Sequence, residues 1–148
     1  MIGKTIVKHN EHLQMKDNER HITLFDQSDK EQVVIIARYL TAEAGFDETN
    51  QHLVATAASE LATNIIKYAK EGEIILKIIQ RNGQLGIQII ARDDGPGIRN
   101  IEQAMQDNFS TSKGSLGLGL PSVQRIMDEF KIESQPGHGT IVSTLMWR

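Results

Sequence analysis

The stretch DDGPGIRNIEQAMQDNFSTSKGSLGLGL, residues 93–120, organises the rest of the chain around it. It carries two glycine clusters, Gly95/Gly97 and Gly114/Gly117/Gly119. An apolar run, LGIQIIARD (residues 85–93), leads into the first cluster, and a helix-periodic run, LPSVQRIMDEF (residues 120–130), leaves the second. Glycine serves where backbone must approach another group closely or take positive φ. A glycine-rich loop feeding a helix N-terminus also presents unpaired N–H groups and a positive dipole end, which suits phosphate. Either cluster alone is compatible with a plain turn; together they point to a nucleotide-sized anion. The familiar phosphate cradles do not fit, because G-x-x-x-x-G-K-[ST] is absent and GSLGLG reverses the spacing of G-x-G-x-x-G.

Outward from this stretch, EIILKIIQ (residues 73–80) and LGIQIIAR (residues 85–92) flank Arg81-Asn82-Gly83-Gln84, and Asn-Gly between β-rich runs predicts a hairpin of central strands. Asp93 ends the second strand, where a side chain can turn into a pocket. Upstream, residues 48–69 predict a long helix with Leu53, Ala57, Leu61, Ile65 and Tyr68 on one side. Glu60 and Asn64 are i and i+4 in it, so both leave the same face one turn apart. Such a pair is usually a solvated stripe, but Ala57, Ala58 and Leu61 beside it leave space. Ser28 and Glu31 predict a capping box for a helix over about 29–44, which Gly45 stops. Before it, residues 4–15 predict an opening edge strand, MKDNERH (residues 15–21) a charged turn, and ITLF (residues 22–25) a short strand. Downstream, Asn100 is expected to cap a short helix, IEQAMQD, and a polar loop leads to a helix over about 118–130. KIES and TIVSTLMW, joined by QPGHG, form a last strand pair. The element order implies an α+β fold, a two-layer sandwich with helices packed on one face of a mostly antiparallel sheet.

The 148 residues suit a single domain spanning 1–148, with 39% hydrophobic content typical of a soluble core. No apolar run approaches the roughly 18 residues of a spanning helix, and MIGKTIVKHNEH lacks the apolar centre of a signal peptide. A cytoplasmic protein without a membrane role is expected. Zero cysteines exclude disulfides, thiolate metal sites and cysteine nucleophiles. Sixteen basic against nineteen acidic residues leave a formal charge of −3 without a basic run, so nucleic acid is not an expected partner. His9 and His12 are spaced three apart, which on a strand puts them on opposite faces and disfavours a metal pair.

Four segments stand in a distinctive order: ELATN (residues 60–64), DDGPG (residues 93–97), GSLGLGL (residues 114–120) and GHGT (residues 137–140). They resemble the N, G1, G2 and G3 boxes of the GHKL, or Bergerat-fold, ATPase and kinase superfamily. With FSTSKG before the second glycine cluster and LPSVQRIMDEF after it, the chain is most similar to the RsbT-like serine/threonine switch kinases of the anti-sigma regulatory factor group. The resemblance covers roughly residues 30–148 and implies the same sandwich, with ATP held between helices and sheet and Mg²⁺ as its metal.

The resemblance also implies roles for individual residues. Asn64 matches the N-box asparagine that binds Mg²⁺, and its amide oxygen is a suitable hard ligand. Glu60 resembles the general base that accepts a proton from the attacking hydroxyl. Asp93 matches the aspartate that accepts from the adenine amine, an acceptor-only group that disfavours guanine's carbonyl at that edge, and Thr140 supports this contact. Gly95 and Gly97 let backbone close over the base, while Gly114, Gly117, Leu118 and Gly119 offer N–H groups to phosphate. Ser112 and Lys113 reach the phosphates from the lid, with Lys113 assigned to the γ-phosphate by position and a solvated loop lysine the competing possibility. Sparse in apolar residues, the lid at 107–120 is expected to order on nucleotide. The implied activity is phosphorylation of a STAS-domain partner and activation of a PPM-type phosphatase. Two alternatives stand beside it: an anti-sigma factor that sequesters a sigma factor, and a nucleotide-gated binding module with little catalysis.

Overall fold

A computed structural model describes residues 18–69, 71–106 and 119–148. The chain runs β1 (Glu19–Leu24), α1 (Gln27–Glu43), α2 (Glu48–Asn64), a π-helical turn (Ile65–Ala69), β2 (Gly72–Arg81), β3 (Gln84–Asp93), α3 (Ile101–Ala104), α4 (Gly119–Ile126), β4 (Glu129–Ser134) and β5 (Thr140–Trp147). The strands form one sheet in the order β1-β2-β3-β5-β4, every neighbouring pair antiparallel.

Turn chemistry sets the central register. Asn82 and Gly83 have φ of 53° and 80°, the left-handed pair that a two-residue hairpin requires, and the ladder runs unbroken from Arg81↔Gln84 to Gly72↔Asp93. Strand side chains alternate faces, so Ile74 and Leu76 of β2 lie beside Ala91 and Ile89 of β3, and Ala91 beside Val142 of β5. All five are buried and share one core with Val33, Ala37 and Leu40 of α1, Ala57, Ala58 and Leu61 of α2, and Val123 of α4. One sheet face is therefore covered by helices, as the predicted α+β sandwich requires.

Several boundaries differ from the sequence expectation, each for an identifiable reason. The capping box of α1 is Asp26/Asp29 rather than Ser28/Glu31: Asp26 Oδ1 accepts from the Ser28 and Asp29 amides at 2.9 and 3.3 Å, and the Asp26 amide donates to Asp29 Oδ2 at 3.2 Å. Ser28 donates its own hydroxyl to Asp26 at 2.6 Å, so it serves the cap instead of being it. Glu19, Arg20 and His21, expected in a turn, belong to β1, because β2 extends far enough to pair with them. Along α2 and the π-helical turn that continues it, the buried side includes Val54, Ala57, Ala58 and Leu61 of the helix and Ile65 of the turn, whereas Leu53 and Tyr68 are 38% and 51% exposed. Helix α3 is limited to Ile101–Ala104, with Asn100 as its cap as expected. Helix α4 stops at Ile126, short of the expected end near residue 130, because the sheet captures the chain: the Asp128 amide donates to the Leu145 carbonyl at 2.9 Å, and Glu129 pairs with Leu145. The opening strand expected over residues 4–15 lies outside the described residues.

Candidate functional site

The C-terminal turns of α2, the end of β3 and the start of β5 meet at one end of the sandwich. There the segment after Asp93 and the first turn of α4 close a cavity of about 350 Å³. Its walls include apolar Leu61, Ile65, Ala91, Ile98, Leu120 and Val142, with Asn64, Tyr68, Asp93 and Thr140 as the groups that can specify a ligand. An apolar cleft with a few convergent polar groups is the usual form of a small-molecule site.

Asp93 is the only carboxylate on that wall among the described residues. It sits opposite Thr140 in the β3–β5 ladder, and its Oδ1 accepts from the Gly95 amide at 2.9 Å. Burial pushes its carboxyl above the usual aspartate value and neighbouring Asp94 adds to the rise, opposed by hydrogen bonds from the Gly95 and Thr140 amides. Gly97 takes φ of 75°, and a β-carbon there would collide with the Gln135 carbonyl. The Gly137 amide donates to the Pro96 carbonyl at 2.8 Å, so the DDGPG segment is docked on the β4–β5 hairpin. A β-carbon on Gly95 would lie 2.7 Å from that of Ala69, which packs this same segment against the π-helical turn.

At the other end of the cavity, Gly119 opens α4 so close to Asn64 that a β-carbon on the glycine would sit 3.3 Å from Asn64 Oδ1. The amide of Asn64 thus faces the start of a helix whose unpaired N–H groups favour an anion. Among the described residues no group of three or more His, Cys, Asp or Glu could hold a metal by itself. A lone amide oxygen fits a magnesium ion that keeps waters and phosphate oxygens as its other ligands.

Of the residues singled out by sequence, Asn64, Asp93, Gly97, Gly119 and Thr140 line the cavity. Gly95 lies in the loop behind them. Glu60 is partly buried on α2 one turn before Asn64 and does not line the cavity, whose wall there is Leu61 and Asn64. Ser112, Lys113, Gly114, Gly117 and Leu118, with most of the expected lid, lie outside the described residues. Sequence reasoning missed Tyr68, Ala69 and Ile98 as lining residues. Tyr68 was legible in principle: it stands four residues after Asn64, the same step that pairs Asn64 with Glu60. The Lys67 ammonium lies 5.6 Å from the Tyr68 ring centre, a cation–π contact at the rim.

An antiparallel sheet under helices, with an aspartate at the end of a central strand and a helical asparagine facing it across an apolar cleft, is the architecture of an ATP-binding domain. Residues 27–145 match the family model of the histidine kinase-like ATPase domain, and the chain belongs to that family. It is 46% identical over 112 residues, 76% of this chain and 84% of the relative, to the serine/threonine-protein kinase RsbT of Bacillus subtilis (strain 168). It is 39% identical over 94 residues to the anti-sigma F factor of Thermoanaerobacter sp. (strain X514), an alignment covering 60% of this chain and 64% of that protein. In fold it is similar to a chain in the crystal structure of the SiaB-SiaC complex from Pseudomonas aeruginosa, with a TM-score of 0.53 at 14% identity over 97% of both chains. Within the family the chain falls with the serine/threonine protein kinases.

Proposed function

We propose that this chain transfers the γ-phosphate of ATP to a serine or threonine of a STAS-domain protein partner, and that it acts as a cytoplasmic switch kinase in bacterial stress signalling. The observation that carries this is the pairing, across one apolar cavity, of Asp93 at the base-binding end with Asn64 and the N-terminus of α4 at the phosphate end. The 46% identity to a serine/threonine-protein kinase supports the same activity.

Asp93, held by the Gly95 amide, accepts from the exocyclic amine of adenine, while Ile98, Ala91 and Val142 enclose the ring. The Thr140 hydroxyl completes recognition of the base edge. Asn64 would hold Mg²⁺, which when bound neutralises phosphate charge. Gly119, with Gly114, Gly117 and Leu118 before it, offers backbone N–H groups to the phosphates, joined by Ser112 and by Lys113 at the γ-phosphate. Glu60, one turn from Asn64, takes the proton of the attacking hydroxyl as the partner's side chain enters from the lid side; its place off the cavity wall is consistent with a base that meets the protein substrate rather than the nucleotide.

Activation of a PPM-type phosphatase by the chain, once phosphorylation has released it from its STAS partner, is the downstream step we assign. The 39% identity to an anti-sigma F factor favours a second reading, in which the chain sequesters a sigma factor and phosphorylation of the STAS partner releases it. Labelled-phosphate transfer to purified STAS-domain proteins, beside a pull-down with the same proteins and with sigma factors, separates the two. Glu60→Gln is expected to keep ATP and partner binding and to lower transfer by roughly 10²–10⁴-fold. Undiminished transfer removes Glu60 from the mechanism, and no transfer by the wild type to any STAS partner overturns the kinase assignment.

A further inference from the structure

Gly72 opens β2, outside the four boxes, and three elements meet at it. It pairs with Leu24 of β1 on one side and with Asp93 of β3 on the other. A β-carbon built on it would lie 2.6 Å from the Arg92 carbonyl oxygen, 2.7 Å from Ile65 Cγ2 and 3.1 Å from Asp93 Cβ. Ile65 is buried and is the first residue of the π-helical turn. The last residue of that turn, Ala69, approaches Gly95 as closely, and the Gly95 amide donates to Asp93 Oδ1. Glycines therefore meet the turn at both ends, and each also adjoins Asp93.

These contacts set a distance. Asn64 immediately precedes Ile65, and Asp93 ends β3, so the approach of the turn to the strand end determines how far the phosphate end of the cavity stands from its base end. Carbon atoms settle about 3.5–4.0 Å apart, so a methyl group at residue 72 must displace a neighbour by roughly 1 Å. On the sheet side it meets backbone of β3, which is laddered to β2 and β5 on both edges. On the other side it meets a single side chain where α2 ends. The helical side is the one that yields, and Asn64 moves with Ile65 while Asp93 keeps its bond from Gly95 and its place opposite Thr140.

We propose that Gly72 is a positioning residue for phosphoryl transfer: lacking a side chain, it lets the π-helical turn seat against the end of β3 and so holds Asn64 at the distance from Asp93 that a magnesium nucleotide spans. This rests on the reading of Asp93 as the base end and Asn64 as the metal end. Gly72 itself does not line the cavity.

The test is calorimetric affinity of the full chain for adenosine, for ATP with excess chelator and for Mg-ATP, beside labelled-phosphate transfer to a STAS-domain protein. Asn64→Ala checks the underlying reading: if magnesium still raises ATP affinity as much in that variant, the reading falls and the Gly72 role with it. With that control satisfied, Gly72→Ala is expected to lose most of the affinity that magnesium adds. Adenosine affinity should stay within about twofold of wild type while transfer slows about 10–100-fold, since a misplacement of roughly 1 Å can cost that much. Ile65→Ala removes the Cγ2 atom that the new methyl group would strike, so Gly72→Ala should cost less in that background than in wild type. If Gly72→Ala does not fold, Ile65→Leu, which lacks Cγ2 but keeps the volume, tests the same contact and should also reduce the magnesium gain while sparing adenosine. A lowered melting temperature with an unchanged magnesium gain would make Gly72 purely structural. Equal losses in the two Ile65 backgrounds would show that Gly72 does not act through the π-helical turn, and an adenosine affinity that falls as far as that for Mg-ATP would put the displacement at Asp93. Any of these results, or an unchanged magnesium gain in Ile65→Leu, overturns the proposal.

Discussion

Asp93 carries the sharpest consequence at the scale of single residues. Its carboxyl titrates above the ordinary aspartate range because it is half-buried, with Asp94 nearby. A protonated carboxyl donates where the adenine amine needs an acceptor, so ATP affinity should fall as the solution is acidified, beginning at a pH above the ~3.9 of an unperturbed aspartate. Because the folded pKa is raised, ionised Asp93 costs folding stability above its unfolded pKa, and that cost is relieved as pH falls. Acid therefore weakens nucleotide binding while easing this one strain on the fold. Nucleotide titrations across a pH series measure it: affinity independent of pH down to the ordinary aspartate range would exclude Asp93 from base recognition. Asp93→Asn should lose about 1–3 kcal/mol of ATP binding and abolish that acid limb.

Pairing of elements contributes a different pH signature at the other edge of the sheet. His21 on β1 lies 2.9 Å from Glu73 of β2 and 3.1 Å from Glu19, and hydrogen bonds to Glu73 first and Glu19 second raise its pKa. The raised folded value means that the stabilisation is fully present below the unfolded value of 6.5 and is lost as pH rises through the folded value. The side chain is half exposed, so the contribution stays below about 1 kcal/mol. Thermal unfolding of wild type and His21→Gln should differ most in mild acid and converge in mild alkali; a constant difference across that range would mean that His21 contributes packing only. At the other end of the fold, the π-helical turn after α2 brings Tyr68 and Ala69 to the cavity wall beside Asn64, a common use of such turns at functional sites.

Across the whole molecule, a nucleotide in the cavity would touch both layers at once: α2 and α4 of the helical layer, β3 and β5 of the sheet. A ligand bound to the folded chain alone stabilises it by RT ln(1 + [L]/Kd), about 2.7 kcal/mol at a hundredfold excess over Kd. Mg-ATP should therefore raise the melting temperature, and ATP with excess chelator should raise it less. In Asn64→Ala the magnesium increment is expected to vanish while part of the ATP increment remains, since Asp93 and the apolar walls persist. An undiminished magnesium increment in that variant would remove Asn64 as the metal ligand. Among the described residues no helix is long and apolar enough to cross a membrane, and the buried faces of α1, α2 and α4 are accounted for by packing on the sheet.

Signals confined to a few residues were legible in the sequence. Asn82-Gly83 determined the central hairpin, since a left-handed two-residue turn admits few other residues and the alternation of the flanking strands then sets which face is buried. The spacing of Glu60 and Asn64 placed both on one helix face, and the boxes at Asn64, Asp93, Gly119 and Thr140 located the cavity. Whatever depended on partners far along the chain stayed open. Helix α4 ends where β5 captures Asp128 and Glu129, and α1 begins where Asp26 leaves β1 in an extended conformation. Asp93 has a raised pKa only because folding buries it at the end of the sheet. Ser134 looked like the last residue of an edge strand; tertiary structure alone brings its hydroxyl to Ile98, 36 residues away, because hydrogen bonds follow distance in space and not along the chain.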